Sequence, residues 1–182
     1  PERNAVAGEA ARAAAYWTPA RMGAAQPLRG PALPDAAASF VQIKDPTTLP
    51  NAVNGRLFLK QGGGNGFCSA TAINSPSRSL ILTAGHCVNS GPRGRQGKSA
   101  WSHQVLFVPA YSGSDTPFGI FTAFRKDVFA PRQWVRFGNP NYDFGAIVVR
   151  PNEAGVAVAD AVGGGASIAL DKSRKQRFET FG

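Results

Sequence analysis

From Phe40 onward the chain alternates between short apolar runs and polar breaks rich in Gly, Pro, Asn and Ser. Seven runs have strand length and strand content: 56–60 (RLFLK), 67–73 (FCSATAI), 79–84 (SLILTA), 104–108 (QVLFV), 119–124 (GIFTAF), 144–149 (FGAIVV) and 176–181 (QRFETF). Turn signals stand between them, at Gly62-Gly63-Gly64-Asn65-Gly66, Asn74-Ser75-Pro76, Asn89-Ser90-Gly91-Pro92 and Gly138-Asn139-Pro140-Asn141. No helical period lasts three turns between 40 and 150, and no segment repeats. Short strands with turns at close intervals predict an all-β barrel or sandwich.

The first 39 residues have another texture. Fourteen of the first 38 are Ala, and prolines fall at 1, 19, 27, 31 and 34. Alanine's propensity predicts a short helix over 5–16, but its small side chains bury little surface, so a core helix is not expected. The segment reads as an Ala/Pro-rich leader or pro-segment with order centred on Tyr16 and Trp17. The expected organisation is a partly disordered leader over 1–52, a first barrel over 53–150, and a linker over 151–182 that opens a second, incomplete barrel.

Composition narrows the class further. The 182 residues suffice for one domain with a real core; 17% are charged, and Gly (21) and Pro (14) are plentiful. This excludes a coiled coil and a highly charged disordered chain. No run of 18 apolar residues predicts a transmembrane helix. The net charge of +9 is uneven, since residues 53–142 hold ten basic side chains against Asp115 and Asp127. The bases are scattered among turns and form no stripe, so nucleic-acid binding is the minor reading. Arg93, Arg95 and Lys98 read as a solvated loop, and Trp101 and Trp134 as core or barrel-edge aromatics.

The candidate chemistry begins at the two cysteines. Cys68 and Cys87, 19 positions apart, permit a disulfide, a two-residue metal contribution or two free thiols. The run ending at Thr83-Ala84 is followed by Gly85-His86-Cys87, which projects an imidazole from a strand end. A bond between the cysteines would tether that loop at its root, as a fixed general base requires. Zinc is the rival use of Cys68, His86, Cys87 and His103, but adjacent His86 and Cys87 do not easily face one ion. His103 reads more simply as a polar residue at a strand start.

Thr83-Ala84-Gly85-His86-Cys87 resembles the histidine motif of the trypsin-like serine peptidases. Tyr142-Asp143-Phe144-Gly145-Ala146-Ile147 resembles that family's aspartate segment, in which an Asp opens an apolar strand. Phe107-Val108-Pro109-Ala110-Tyr111, with Pro117-Phe118-Gly119, looks most like the secreted bacterial, glutamyl-endopeptidase-like branch. The resemblance runs from about Asn54 to Gly182. It implies an all-β chain comprising the first barrel of a double β-barrel and the start of the second. It also implies that Cys68 and Cys87 form the histidine-loop disulfide, that His86 is the general base and that Asp143 orients it. The order His before Asp suits the chymotrypsin arrangement.

The family's nucleophile is expected in a Gly-Asp-Ser-Gly-Gly-type motif beyond the aspartate. Ser167 and Ser173, the serines that follow Asp143, lack that glycine surround. The expectation is therefore an N-terminal portion of a serine endopeptidase, inactive by itself, whose serine lies outside this sequence. The implied protein is secreted, bacterial and monomeric, acts on protein or peptide substrates, and needs no cofactor or metal. Membrane and nucleic-acid partners are not expected. The competing reading is a non-catalytic relative that keeps the barrel as a binding or scaffold module.

Overall fold

The computed structural model of the chain describes residues 2–30, 43–92 and 99–173. Two helices, α1 (Glu2–Tyr16) and α2 (Pro19–Ala24), precede a short strand β1 (Gln26–Pro27). The barrel strands are β2 (Asn54–Gln61), β3 (Gly64–Ala72), β4 (Leu80–Thr83), β5 (His103–Pro109), β6 (Phe121–Ala123), β7 (Val128–Phe129) and β8 (Gly145–Val148). Short helices α3 (Gly85–Val88), α4 (Arg132–Phe137) and α5 (Val158–Ala161) lie in the connections. Six of the seven expected strands are present, and 176–181 lies outside the described residues.

All the larger pairings are antiparallel, in the order β6-β5-β2-β3-β4-β8-β7, with β1 added to β3 in parallel. β2 and β3 form a hairpin whose loop is only Gly62-Gly63, both at positive φ, as a tight two-residue turn demands. Gly64, Asn65 and Gly66 are thus strand, although their composition signals turn. Past β8 the chain bends over to the far edge of the sheet, where Arg150 N–H donates to Thr122 O at 2.7 Å. That bond all but closes the barrel. Leu57, Leu59, Ala70, Ala72, Ile81, Val105, Phe107, Phe121, Ile147 and Val149 fill its interior. Some of the described residues after Arg150 pack on this barrel: Val158 and Val162 enter the core, and Ala166 N–H donates to Ala72 O at 2.8 Å.

The N-terminal segment is part of the same body. Neighbouring strand residues face opposite sides, so Leu57, Leu59, Val105 and Phe107 point inward while Phe58, Leu106 and Val108 point outward. These outward side chains are fully buried because Trp17, Met22 and Ala25 cover them. Trp17 packs on Phe58 with ring centroids 5.4 Å apart, and its indole N–H donates to Gln104 O. Tyr16 Oη donates to Asn65 Oδ1 at 2.7 Å, and the Glu9 carboxylate accepts from Arg125 N–H at 2.9 Å. The helix thus extends beyond 5–16, and order extends well beyond Tyr16 and Trp17. Thr18 caps α2, with Pro19 in the first turn, where its missing N–H costs nothing.

Several basic side chains lie on aromatic rings. Arg56 sits over Phe67 and Tyr111, Lys60 and Arg21 over Tyr16, and Arg150 over Phe124. Part of the positive charge is therefore placed by ring contacts.

The packing makes Trp17 the anchor of the N-terminal segment. Trp17→Ala should lower stability by about 3–5 kcal/mol in a urea titration. A midpoint equal to that of the unsubstituted chain would mean that the leader does not belong to the cooperative unit.

Candidate active site

β4 ends at Thr83, Ala84 remains extended, and Gly85 begins the single turn of α3 that carries His86 and Cys87. A 3-10 turn over Pro140–Tyr142, capped by Asn139 Oδ1 on Asn141 N–H, delivers Asp143, with Phe144 between it and β8. β4 and β8 are paired, Thr83 opposite Gly145. Two residues 57 positions apart are therefore held side by side at the ends of adjacent strands.

The contact between them is two-pronged. Asp143 Oδ1 accepts the His86 backbone N–H at 2.6 Å, and Asp143 Oδ2 lies 2.8 Å from His86 Nδ1. An ionised carboxylate only accepts hydrogen bonds, so opposite one a neutral ring keeps its proton on Nδ1 and its lone pair on Nε2. The side chains of His86 and Asp143 are only 19% and 15% exposed, which shields the pair from most solvent screening. Among the described residues, Asp143 is the side chain that hydrogen-bonds the His86 ring.

Glycine makes this approach possible at two points. A Cβ on Gly85 would lie 3.0 Å from Asp143 Oδ1 and from the Phe144 nitrogen. A Cβ on Gly145 would lie 2.7 Å from Val88 Cγ2 and 3.1 Å from Ala84 O. Side chains at either position would push α3 away from β8.

The far end of α3 is tied carbonyl by carbonyl. A helix leaves its last carbonyls without internal partners, and here each finds one. Gln61 Nε2 donates to His86 O at 2.9 Å, Ser102 Oγ to Cys87 O at 2.7 Å, Ser102 N–H to Val88 O at 2.9 Å, and Trp134 Nε1 to Asn89 O at 2.7 Å. Gln61 also donates to Ser102 Oγ at 3.1 Å, which joins these supports into one network. Trp134 packs edge-on toward His86, ring centroids 6.4 Å apart. These supporting residues were not among the sequence candidates.

Cys68 of β3 and Cys87 of α3 form a disulfide, with Cα atoms 6.3 Å apart. The sulfurs lie near the His86 ring, but bonded to each other they cannot serve as the thiolate ligands that the zinc reading needs. His103 begins β5, as expected of a strand-start residue. Burial, and then the charge of Lys60, lowers its pKa. Ser167 is exposed, and positions 93–98 lie outside the described residues.

The nearly closed antiparallel barrel is the fold of the trypsin-like serine proteases. By fold the chain belongs with them. It is similar to protease Anisep from Arthrobacter nicotinovorans, with 34% identity and a TM-score of 0.60 over 68% of this chain and 52% of that one. It is similar also to the thermostable serine protease AL20 from an extremophilic microorganism, with 26% identity and a TM-score of 0.59 over 68% and 53%. A Glu endopeptidase at 21% identity, with a TM-score of 0.51 over 68% and 48%, shares the fold. The chain spans about half the length of these proteases. No protein-family profile and no curated protein matches it.

The disulfide closes a 19-residue separation around the hairpin that carries α3. Replacing both cysteines by serine should cost on the order of 3 kcal/mol on the chain-entropy account, read from urea unfolding without reductant. Equal stability of the two proteins would show that α3 is held by its hydrogen bonds alone.

Proposed function

We propose that the protein carrying this chain is a serine endopeptidase in which His86 is the general base and Asp143 orients it. The observation that carries this reading is the two-pronged Asp143–His86 contact, at 2.6 and 2.8 Å, on a fold shared with serine proteases. In this role Nε2 takes the proton of a serine hydroxyl as its oxygen attacks the scissile carbonyl. It later gives the proton to the departing amine. Asp143 keeps Nδ1 protonated and stabilises the imidazolium formed between the two transfers.

The reading places the nucleophile and the oxyanion donors in sequence beyond this chain. Ser102 Oγ is engaged with Cys87 O and Gln61, and Ser167 is exposed in the segment after β8. Peptide bonds are the substrate class. The disulfide supports export to an oxidising compartment, where such bonds persist. Among the described residues no helix is long and apolar enough to cross a membrane.

In the complete, processed protein a serine-directed fluorophosphonate should attach covalently, and His86→Ala should abolish the labelling. Asp143→Asn should lower kcat about 10⁴-fold by favouring the wrong tautomer. Failure of the complete protein to label would leave the barrel as a binding module.

A further inference from the structure

A cavity of about 310 Å³ opens beside β1, at the level of Arg56 on β2 and Phe67 on β3. Its size is at the lower end of the range for small-molecule sites. Pro27, Leu28, Ile43 and Pro46 give it apolar walls, and no acidic side chain among the described residues lines it. Its charge comes from Arg56. That residue faces the same side of β2 as Phe58, opposite Ser69 of β3 and Val108 of β5. Its guanidinium carbon lies 4.5 Å from the centroid of the Phe67 ring and 5.0 Å from that of Tyr111. Tyr111 packs in turn on Phe58, ring centroids 5.2 Å apart, and Phe58 on Trp17, so the rings that hold Arg56 belong to the outer cluster of the barrel.

The half-buried guanidinium has no acceptor. Among the described residues the ion pairs are Arg78–Asp160 and His86–Asp143, and no oxygen accepts a hydrogen bond from Arg56. Asp45, next to the wall residue Pro46, is engaged by Thr47, whose N–H and Oγ donate to it at 2.9 and 2.7 Å. A second donor on the lining is weakly engaged. Asn54 Oδ1 accepts from Thr71 Oγ1 at 2.7 Å, while its Nδ2 reaches the Pro50 and Asn51 carbonyls only at 3.5 Å.

We infer that this cavity binds a small organic carboxylate with an apolar body, the carboxylate on Arg56 and the body between the apolar walls. Contact with a ring stabilises the charge of a guanidinium but leaves its N–H donors unfilled. Those donors form a planar fork that matches the two oxygens of a carboxylate. The rings already restrict the long side chain, so little further rotamer freedom is lost when a ligand arrives. One guanidinium among apolar walls neutralises one negative charge, which favours a carboxylate over a doubly charged phosphate. The inference draws on nothing in the peptidase reading.

The test titrates 3-phenylpropionate, ionised at pH 7, into the isotope-labelled 182-residue chain. The Arg56 Nε–Hε signal and the ring signals of Phe67 and Tyr111 are followed by NMR. They should shift together and saturate, with a Kd on the order of 1 mM or tighter. The amide 3-phenylpropionamide, alike in shape but uncharged, should bind about tenfold more weakly or worse, and so should the acid to Arg56→Gln. Equal binding of acid and amide would make the cavity an apolar crevice and overturn the proposal. Shifts that do not saturate, or that centre on other basic residues, would overturn it as well. If Arg56→Gln does not fold, the comparison of acid with amide on the unsubstituted chain decides by itself.

Discussion

The double acceptance by one carboxylate, of the His86 backbone N–H and of its ring, constrains more of this molecule than any other contact. A side chain that grips only an imidazole leaves the backbone beneath it free to rock. Gripping both fixes the ring relative to its own peptide. That geometry requires α3 and the start of β8 to touch, so glycine stands at 85 and 145 and the two strands that feed them are paired neighbours. The strand order β3-β4-β8 can therefore be read as the scaffold of a two-residue contact.

Holding one end of a single helical turn is not enough, because a four-residue helix has almost no cohesion of its own. Stability comes from the donors aimed at residues 86–89 and from the covalent link of Cys87 to β3. The donors arise from β2, from the residue before β5, and from α4, so three separate parts of the barrel converge on one turn. A buried carbonyl without a partner costs about 1–3 kcal/mol. The network around Gln61 and Ser102 thus discourages alternative placements of His86 as well as stabilising the observed one.

Six strands were legible because Gly, Pro and Asn break the chain where turns occur. The pairing of His86 with Asp143 was legible through the motifs around them. Gln61, Ser102 and Trp134 were not, since a side chain that bonds a distant backbone carbonyl leaves no spacing in the sequence. Gly64-Asn65-Gly66 looked like loop because glycine signals turns; in the structure Gly66 lies in a strand approached closely by another chain segment. The role of the leader was half visible. Unbroken apolar runs at 57–59 and 105–108 announce strands buried on both faces, but an alanine-rich segment gave little sign of being their cover. Its contribution is concentrated in Trp17 and Met22.

That cover ties the N-terminal segment to the folding of the barrel. Exposing Phe58, Leu106 and Val108 would leave three fully buried apolar side chains in water, at about 1.5–3 kcal/mol each. α2 therefore has strong reason to stay in place. The N-terminal segment is thus a wall of the barrel and not an appendage to it.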